Sequence, residues 1–208
     1  MRTPPVDVRD RPPYSVEQFR VKAEYRSDLD AILVPEGEIE SRIEGMADEI
    51  SRTYREQDGA ELYALCVLKG AMRFFGALTP RLDLDRPFSE GVVRADRYTG
   101  GDGGDLEAEI RWLEPELIAG KDILVVEDII DEGYTLSTLL EQLETHDPNS
   151  VEVAVLFDKV ARRKTDVDVE YTGFYIPDEF VVGFGLDYDE RYRNLRHLGV
   201  LDPSVMDG

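Results

Sequence analysis

Three carboxylates follow a short apolar run in the middle of the chain. Glu127 and Asp128 come directly after the aliphatic residues 123–126, and Asp131 lies three positions further on. A short aliphatic run flanked by glycine and acids is typical of a strand buried on both faces, and open α/β sheets bind ligands in the turn after such a strand. Carboxylates at that place can accept hydrogen bonds from sugar hydroxyls, hold a hard cation such as Mg²⁺, or accept a proton.

A turn suited to phosphate follows the acids. Gly133, Tyr134 and Thr135 open the apolar helix pattern of residues 135–143, so backbone N–H groups and the Thr135 hydroxyl can meet an anion at the helix N-terminus. The Gly-Lys-Ser/Thr element of a Walker loop is missing. A bland alternative stays open at this point, in which Asp131 caps the helix and the other acids are solvated.

Composition narrows the class of protein. A chain of 208 residues predicts one domain with a substantial core. Its net charge of -21 argues against nucleic acid as a partner, because nucleic-acid binding needs basic patches. Nothing resembles a signal peptide or a membrane span, so we expect a cytoplasmic protein with no membrane partner. The single cysteine, Cys66, lies in an apolar run and is interpreted as a buried thiol.

Strand and helix patterns alternate along the chain, which predicts an α/β fold with a mostly parallel sheet flanked by helices. Residues 1–27 are predicted to form an extended N-terminal arm, and residues 28–208 a single domain. The glycine-rich stretch near residue 100 predicts a mobile loop over about residues 97–109. Predicted strands cover residues 62–68, 91–95, 123–126, 151–157, 174–177 and 180–184, and predicted helices cover residues 35–54, 72–78 and 135–143.

The segment from Val125 to Leu136 resembles the phosphoribosyl-pyrophosphate signature of type I phosphoribosyltransferases, in the Glu-Asp-Ile-Ile-Asp form typical of hypoxanthine-guanine phosphoribosyltransferases. Residues 65–70 and 174–188 match further segments of that family, and the resemblance runs from about residue 30 to Pro203. It implies the type I phosphoribosyltransferase fold, with a small hood subdomain built from both ends of the domain. The implied reaction is purine salvage, in which the Mg²⁺-dependent enzyme transfers the phosphoribosyl group from phosphoribosyl pyrophosphate to a 6-oxopurine base, hypoxanthine or guanine.

The resemblance also implies a role for individual residues. Asp131 matches the presumed general base or hydrogen-bond acceptor at purine N7, and Glu127 and Asp128 match the pair that holds the ribose hydroxyls. The other matches to phosphoribosyl-pyrophosphate-binding residues are Glu132, Gly133, Tyr134 and Thr135 at the 5′-phosphate, and Leu68, Lys69, Gly70 and Arg193 at the pyrophosphate, with a cis peptide expected between Leu68 and Lys69. The matches to base-binding residues are Lys159, which donates to O6, Phe180, which stacks on the base, Val181 and Asp187. The implied metal ligands are Glu127, Asp128 and Asp187.

Two departures from the family pattern bear on function. Glu132 stands where the family usually has threonine, and a carboxylate there should weaken phosphoribosyl-pyrophosphate binding. The flexible loop carries Arg97 and Tyr98 instead of the usual Ser-Tyr, and we hypothesise that Arg97 balances Glu132. Two alternatives stay open: a nucleotide-sensing regulator on the same fold, and an enzyme with altered base preference, such as xanthine. The family implies a homodimer or homotetramer, but no interface is evident from the sequence.

Overall fold

The main sheet of the protein has seven strands. The computed structural model describes residues 3–56, 59–99 and 106–206, without the side chains of residues 96–99 and 106–108. Neighbouring strands are parallel except for the last pair, which is antiparallel. The predicted mostly parallel α/β sheet is therefore confirmed. In spatial order the strands are β1 (Val6–Asp7), β8 (Tyr171–Tyr175), β7 (Ser150–Asp158), β6 (Asp122–Ile130), β3 (Leu62–Leu68), β4 (Phe88–Thr99) and β5 (Leu106–Arg111).

Helices cover both faces of this sheet. Leu124 and Val126 of β6 belong to the core cluster that includes the apolar stripe of α2 (Glu36–Glu56), whereas Ile123 and Val125 belong to the cluster that includes the buried leucines of α4 (Tyr134–Glu144). Because successive side chains of a strand point to opposite faces, a central strand covered on both sides must be apolar at every position. The helices are α1 (Ala23–Arg26), α2 (Glu36–Glu56), α3 (Met72–Leu78), α4 (Tyr134–Glu144) and α5 (Pro203–Met206).

A second, smaller sheet is built from strands near both ends of the domain sequence. It has three antiparallel strands, in the order β2 (Leu29–Val34), β10 (Leu198–Leu201) and β9 (Val181–Val182). The strands come from both ends of the domain, as the hood in the sequence-based expectation does.

The segment before residue 28 is mostly extended but packs on the domain. Val6 and Asp7 pair with β8, and Val8 is fully buried in the main core. Tyr14 forms a bridge to Ile32 of β2. Apolar side chains of this segment are buried against both sheets, so the segment packs on the domain. The boundary predicted at residue 27 stays a prediction.

Strand β6 is longer than the apolar run indicated. It continues to Ile130, so Glu127 and Asp128 lie within the strand rather than after it. Its pairing with β3 ends at Cys66 and Val126, whereas its pairing with β7 continues to Ile130 and Asp158. One edge of β6 is therefore released from β3 where the acidic residues begin, which opens space for a ligand beside them.

The predicted mobile loop falls on a hairpin. Its ends lie in β4 and β5, which pair from Arg94 and Arg111 to Thr99 and Leu106. Residues 100–105 lie outside the described residues, and so do the side chains of Arg97 and Tyr98; the mobility of this loop stays a prediction. Among the described residues, no helix combines the length and apolar character needed to span a membrane.

Candidate active site

A cleft of about 360 Å³ lies where β3 and β6 end. Parallel strands bring their carboxyl ends to the same edge of a sheet, and ligands of open α/β sheets bind there. The structure brings to this cleft nine of the residues expected at the site. They are Leu68, Lys69, Gly70, Glu127, Asp128, Asp131, Thr135, Asp187 and Arg193.

Glu127 and Asp128 form a nearly buried pair of acids, 8% and 6% exposed. The backbone N–H of Asp128 donates to Glu127 Oε1 at 3.2 Å, and the N–H of Ile129 donates to Asp128 Oδ1 at 2.9 Å. Burial raises the pKa of the Asp128 carboxyl above its usual value. These backbone bonds fix carboxylate oxygens at the cleft, which suits them to accept hydrogen bonds from vicinal hydroxyl groups.

Gly70 brings the loop after β3 directly against this pair. A Cβ atom at position 70 would lie 1.7 Å from Asp128 Oδ2, and one at Gly185 would lie 2.1 Å from the Gly70 carbonyl oxygen. The peptide between Leu68 and Lys69 is cis, as expected from the resemblance. The close approach at both glycines holds the Lys69–Gly70 backbone between β6 and the loop that carries Asp187.

Two cations of that region are held by one carboxylate. Glu190 lies 3.1 Å from Lys69 Nζ through Oε2 and 3.2 Å from Arg193 Nη2 through Oε1. Arg193 Nη2 also lies 2.8 Å from Asp187 Oδ1. The cations lower the pKa of Glu190 below its ordinary value. Lys69 and Arg193, both expected to bind pyrophosphate, therefore both pair with the Glu190 carboxylate, which was not expected from the sequence.

Because Glu190 occupies both cations, Glu190→Gln should tighten the binding of pyrophosphate by about two- to fivefold, the scale of an exposed ion pair. The measurement is the dissociation constant of magnesium pyrophosphate by titration calorimetry. Asp189→Asn is the matched control, since it removes the same charge one residue away. An equal change in both variants would mean that only net charge matters, and no change in either would exclude competition by Glu190.

Asp131 contacts two cations from the segment after β7. Its Oδ2 lies 3.8 Å from Lys159 Nζ, and its Oδ1 lies 2.9 Å from Arg162 Nε. The Arg162 contact is an ion pair but is not aligned as a hydrogen bond, so Oδ1 is shielded from solvent without a hydrogen-bond partner among the described residues. Such an oxygen is placed to accept a hydrogen bond or a proton from a ligand.

Lys159 is a buried cation, 4% exposed. Burial lowers its pKa below the ordinary lysine value, and the charge of Asp131 opposes that shift. Its backbone N–H donates to the Ile130 carbonyl at 3.0 Å, which ties the start of the loop to the end of β6. This burial distinguishes Lys159 from an ordinary exposed lysine at the end of a strand.

Hydrogen bonds join the phosphate turn, residues 132–135, to the loop that follows β7. Gly133, in the left-handed conformation at φ 91°, precedes α4, and a Cβ there would lie 2.2 Å from Thr165 Oγ1. The carbonyl oxygen of Glu132 accepts hydrogen bonds from the backbone N–H groups of Lys164 and Thr165, at 2.9 and 3.3 Å. The Glu132 side chain turns to Lys164, whose Nζ lies 2.5 Å from Oε1.

Phe180 is 41% exposed, so its ring is open to a ligand rather than buried in the core. Its ring meets Tyr188 edge to face, with the ring centroids 5.6 Å apart. The Leu201 N–H donates to the Phe180 carbonyl, so by the alternation of an antiparallel ladder the N–H and C=O of Val181 point away from β10. An open aromatic face and a free strand edge are the groups that bind a planar heterocycle.

Three charged residues at the site were not expected from the sequence: Glu190, Arg162 and Lys164. The run Arg162-Arg163-Lys164 is the one visible signal, since three consecutive cations are unusual in a chain of charge -21. Each pairs with a different carboxylate. Arg162 contacts Asp131, Arg163 binds Asp158 at 3.0 and 2.6 Å, and Lys164 binds Glu132.

Comparison with known proteins places this geometry in a family. The phosphoribosyl transferase domain family matches residues 33–189. A hypoxanthine-guanine phosphoribosyltransferase from Mycobacterium avium is 39% identical over 184 residues, which cover 87% of this chain and 90% of that protein. The chain belongs to the hypoxanthine-guanine phosphoribosyltransferase family. The family expected from the sequence is thereby confirmed.

Two further comparisons agree with this assignment for the phosphoribosyltransferase. The hypoxanthine-guanine phosphoribosyltransferase of Sus scrofa is 36% identical over 212 residues, covering 98% of this chain and 95% of that one. A crystal structure of a hypoxanthine phosphoribosyltransferase from Staphylococcus aureus superposes with a TM-score of 0.81 at 35% identity, covering 89% of this chain and 98% of that chain. The similarity to the Sus scrofa protein therefore extends into the segment before residue 28, where the sequence signature was not visible.

Proposed function

We propose that this phosphoribosyltransferase transfers the 5-phosphoribosyl group from phosphoribosyl pyrophosphate to N9 of hypoxanthine or guanine, giving IMP or GMP and pyrophosphate. The observation that carries the proposal is the contact between Lys159 and Asp131 at the edge of the cleft. A buried donor and a shielded acceptor side by side match the O6 and N7–H groups of a 6-oxopurine.

The same contact supplies base specificity. Lys159 can donate to O6 of hypoxanthine or guanine, but it would meet the exocyclic amino group of adenine as one donor against another. Phe180 offers its exposed ring to the base, and the free strand edge at Val181 offers an N–H and a C=O to the base edge. Hypoxanthine and guanine both carry an oxo group at C6, so both meet the donor at Lys159.

The residues of the cleft divide the work of the reaction. N9 of the base forms a bond to C1′ as the bond from C1′ to the pyrophosphate oxygen breaks, and the electron pair leaves with pyrophosphate. Asp131 accepts the hydrogen bond or proton of N7, while Glu127 and Asp128 orient the ribose hydroxyls. Lys69 and Arg193 attract the charge that develops on the leaving group.

The carboxylates fit a magnesium ion that binds together with the substrate. Among the described residues, no group of three or more metal-ligating side chains forms a dedicated cage. Mg²⁺ usually binds through one or two carboxylates plus substrate phosphates, and Asp187 and the acid pair line the cleft in that manner. We propose that Mg²⁺ would bind at the Glu127–Asp128 pair and, separately, at Asp187, with substrate oxygens as its other ligands, and would neutralise pyrophosphate charge.

One assay tests this function: purified protein with Mg²⁺ and phosphoribosyl pyrophosphate, given hypoxanthine, guanine, xanthine, adenine or uracil separately. We expect turnover of hypoxanthine and guanine and none of adenine. Lys159→Gln should lower kcat/KM for hypoxanthine by about 10²-fold, the loss of a charged hydrogen bond in a buried site. Lys22→Gln, at an exposed lysine of the segment before residue 28, is the matched control. No turnover of any oxopurine would overturn the proposal in favour of a nucleotide-sensing protein, and turnover of xanthine alone would correct the base.

A further inference from the structure

The phosphate turn of this chain contains a carboxylate and a cation that form a pair. Lys164 Nζ lies 2.5 Å from Glu132 Oε1. The Glu132 side chain is 12% exposed, whereas the Lys164 side chain is 58% exposed. The carboxylate is therefore held inward, against the turn, and the ammonium group keeps an open side toward solvent.

The backbone around this pair is fixed independently of the two side chains. The Glu132 carbonyl oxygen accepts from the N–H groups of Lys164 and Thr165, and also from Thr165 Oγ1 at 3.3 Å. Gly133 packs directly on the Thr165 side chain. Backbone bonds, not the ion pair, thus join the two loops, so charge can be changed at positions 132 and 164 while the turn keeps its shape.

A lone carboxylate in this turn would oppose a phosphate dianion. The groups of this turn that attract an anion are the backbone N–H groups at the N-terminus of α4 and the Thr135 hydroxyl. One unit of negative charge nearby offsets much of their attraction. With Lys164 in contact, the net charge of the pair is zero. The bond to Glu132 also raises the pKa of Lys164, so the lysine is charged over the whole physiological range.

We propose that Lys164 is a binding determinant for the 5′-phosphate group of the nucleotide, because its ion pair with Glu132 cancels the carboxylate that this chain carries in its phosphate turn. This inference rests on the proposed function, which places the 5′-phosphate at that turn. It assigns a function to a residue outside the signature segment and explains how the departure at Glu132 is compatible with phosphate binding.

The test is a series of variants in which the charge of the pair changes stepwise, which we call the charge ladder. The measured quantity is the dissociation constant of IMP by calorimetry, and inosine, which lacks the phosphate, is the control ligand. Lys164→Gln gives the pair a charge of minus one, Glu132→Gln gives plus one, and the double variant restores zero. We expect IMP binding to weaken in Lys164→Gln and to tighten in Glu132→Gln, by about three- to tenfold each. The double variant and Lys164→Arg should both bind IMP like the original protein, and inosine binding should not change.

Ionic strength separates charge from shape. Between about 50 mM and about 0.5 M potassium chloride the steps of the ladder should shrink, because exposed charges are screened. A double variant as weak as Lys164→Gln, or a loss for IMP that salt leaves intact, would overturn the inference. Failure of the original protein to bind IMP at all would instead overturn the proposed function, so the two failures are distinguishable.

Discussion

Replacing Asp131 with asparagine should lower kcat by about 10²- to 10⁴-fold while changing the KM for phosphoribosyl pyrophosphate by no more than about threefold. Asparagine keeps the shape of the side chain but cannot take a proton. The structure supports the role because Asp131 Oδ1 is shielded from solvent and has no hydrogen-bond partner in the described part of the chain. A purine N7–H is the donor that the site lacks.

The measurement should follow a single turnover as well as the steady state. Product release limits kcat in many enzymes, and a slow release step would hide a loss in the chemical step. Asp178→Asn is the matched control, since Arg162 Nη1 also pairs with Asp178 Oδ1, at 3.3 Å. That variant removes a carboxylate from the same arginine without touching the proposed proton acceptor, so it should keep its single-turnover rate.

The charge of Asp131 also affects the pKa of Lys159, so Asp131→Asn could act through the lysine instead of through proton transfer. The pH dependence of the loss separates these two effects. Burial lowers the pKa of Lys159 and Asp131 opposes the shift, so loss of the Asp131 charge should lower that pKa further. An effect transmitted through Lys159 would shrink as the pH falls, because the lysine regains its proton. A loss that persists at low pH supports Asp131 as the acceptor. An unchanged single-turnover rate would exclude it.

The parts of the fold that the sequence predicted well are those whose local pattern and burial agree. The helix expected over residues 72–78 is α3, and the strand expected over residues 62–68 is β3, each with the expected bounds. Both are apolar segments with turn residues at their ends, so packing and propensity point the same way. The strand expected over residues 123–126 was too short, because Glu127 and Asp128 look like loop residues until the pairing with β7 is known.

The elements that were not predicted depend on partners far away in the chain. Strand β1 has two residues, which is too short for any periodicity, whereas β9, also of two residues, lies within the strand predicted over residues 180–184. Strand β2 pairs with β10, more than 160 residues later, and the four residues of β10 are too few to show a strand pattern by themselves. Tertiary contacts, rather than local preference, determine these strands.

The charged residues of the site divide in the same way. Asp131 and Lys159 could be named from the sequence because the family signature and its spacing identify them. Glu190, Arg162 and Lys164 could not, since an ion pair depends on where two loops meet in space. The contact of Glu132 with Lys164 changes the meaning of the departure at position 132, from an isolated negative charge to half of an ion pair.

Removing one partner of a buried ion pair at the opposite edge of the sheet should destabilise the domain strongly. Asp122, at the start of β6, lies 2.7 Å from Arg86 Nη1 through Oδ2, and both side chains are nearly buried. Its Oδ1 accepts from Asn149 Nδ2 at 2.5 Å and from Ser150 Oγ at 2.7 Å. Arg86 also donates to the Tyr54 carbonyl near the end of α2. One carboxylate therefore joins the starts of β6 and β7 to the helix layer.

Asp122→Ala should lower the free energy of unfolding by about 3–5 kcal/mol, because it removes the buried carboxylate that pairs with Arg86 and accepts hydrogen bonds from Asn149 and Ser150. For a chain of this size that loss corresponds to a fall in Tm of about 6–20 °C. The measurement is thermal unfolding by calorimetry or circular dichroism at fixed protein concentration, since any self-association would shift the midpoint. Arg86→Met combined with Asp122→Leu removes both charges and should unfold at a higher temperature than Asp122→Ala alone.

The control is an ion pair of similar length at the surface. Arg9 Nη2 lies 2.6 Å from Asp7 Oδ2, but both side chains are almost half exposed, so Asp7→Ala should leave the midpoint unchanged. The two variants differ in the solvent around the charge, not in the charge removed. Equal midpoints for Asp122→Ala and Asp7→Ala would therefore show that Arg86 finds water or another partner when Asp122 is gone, and that the edge opposite the cleft is less tightly packed than the structure indicates.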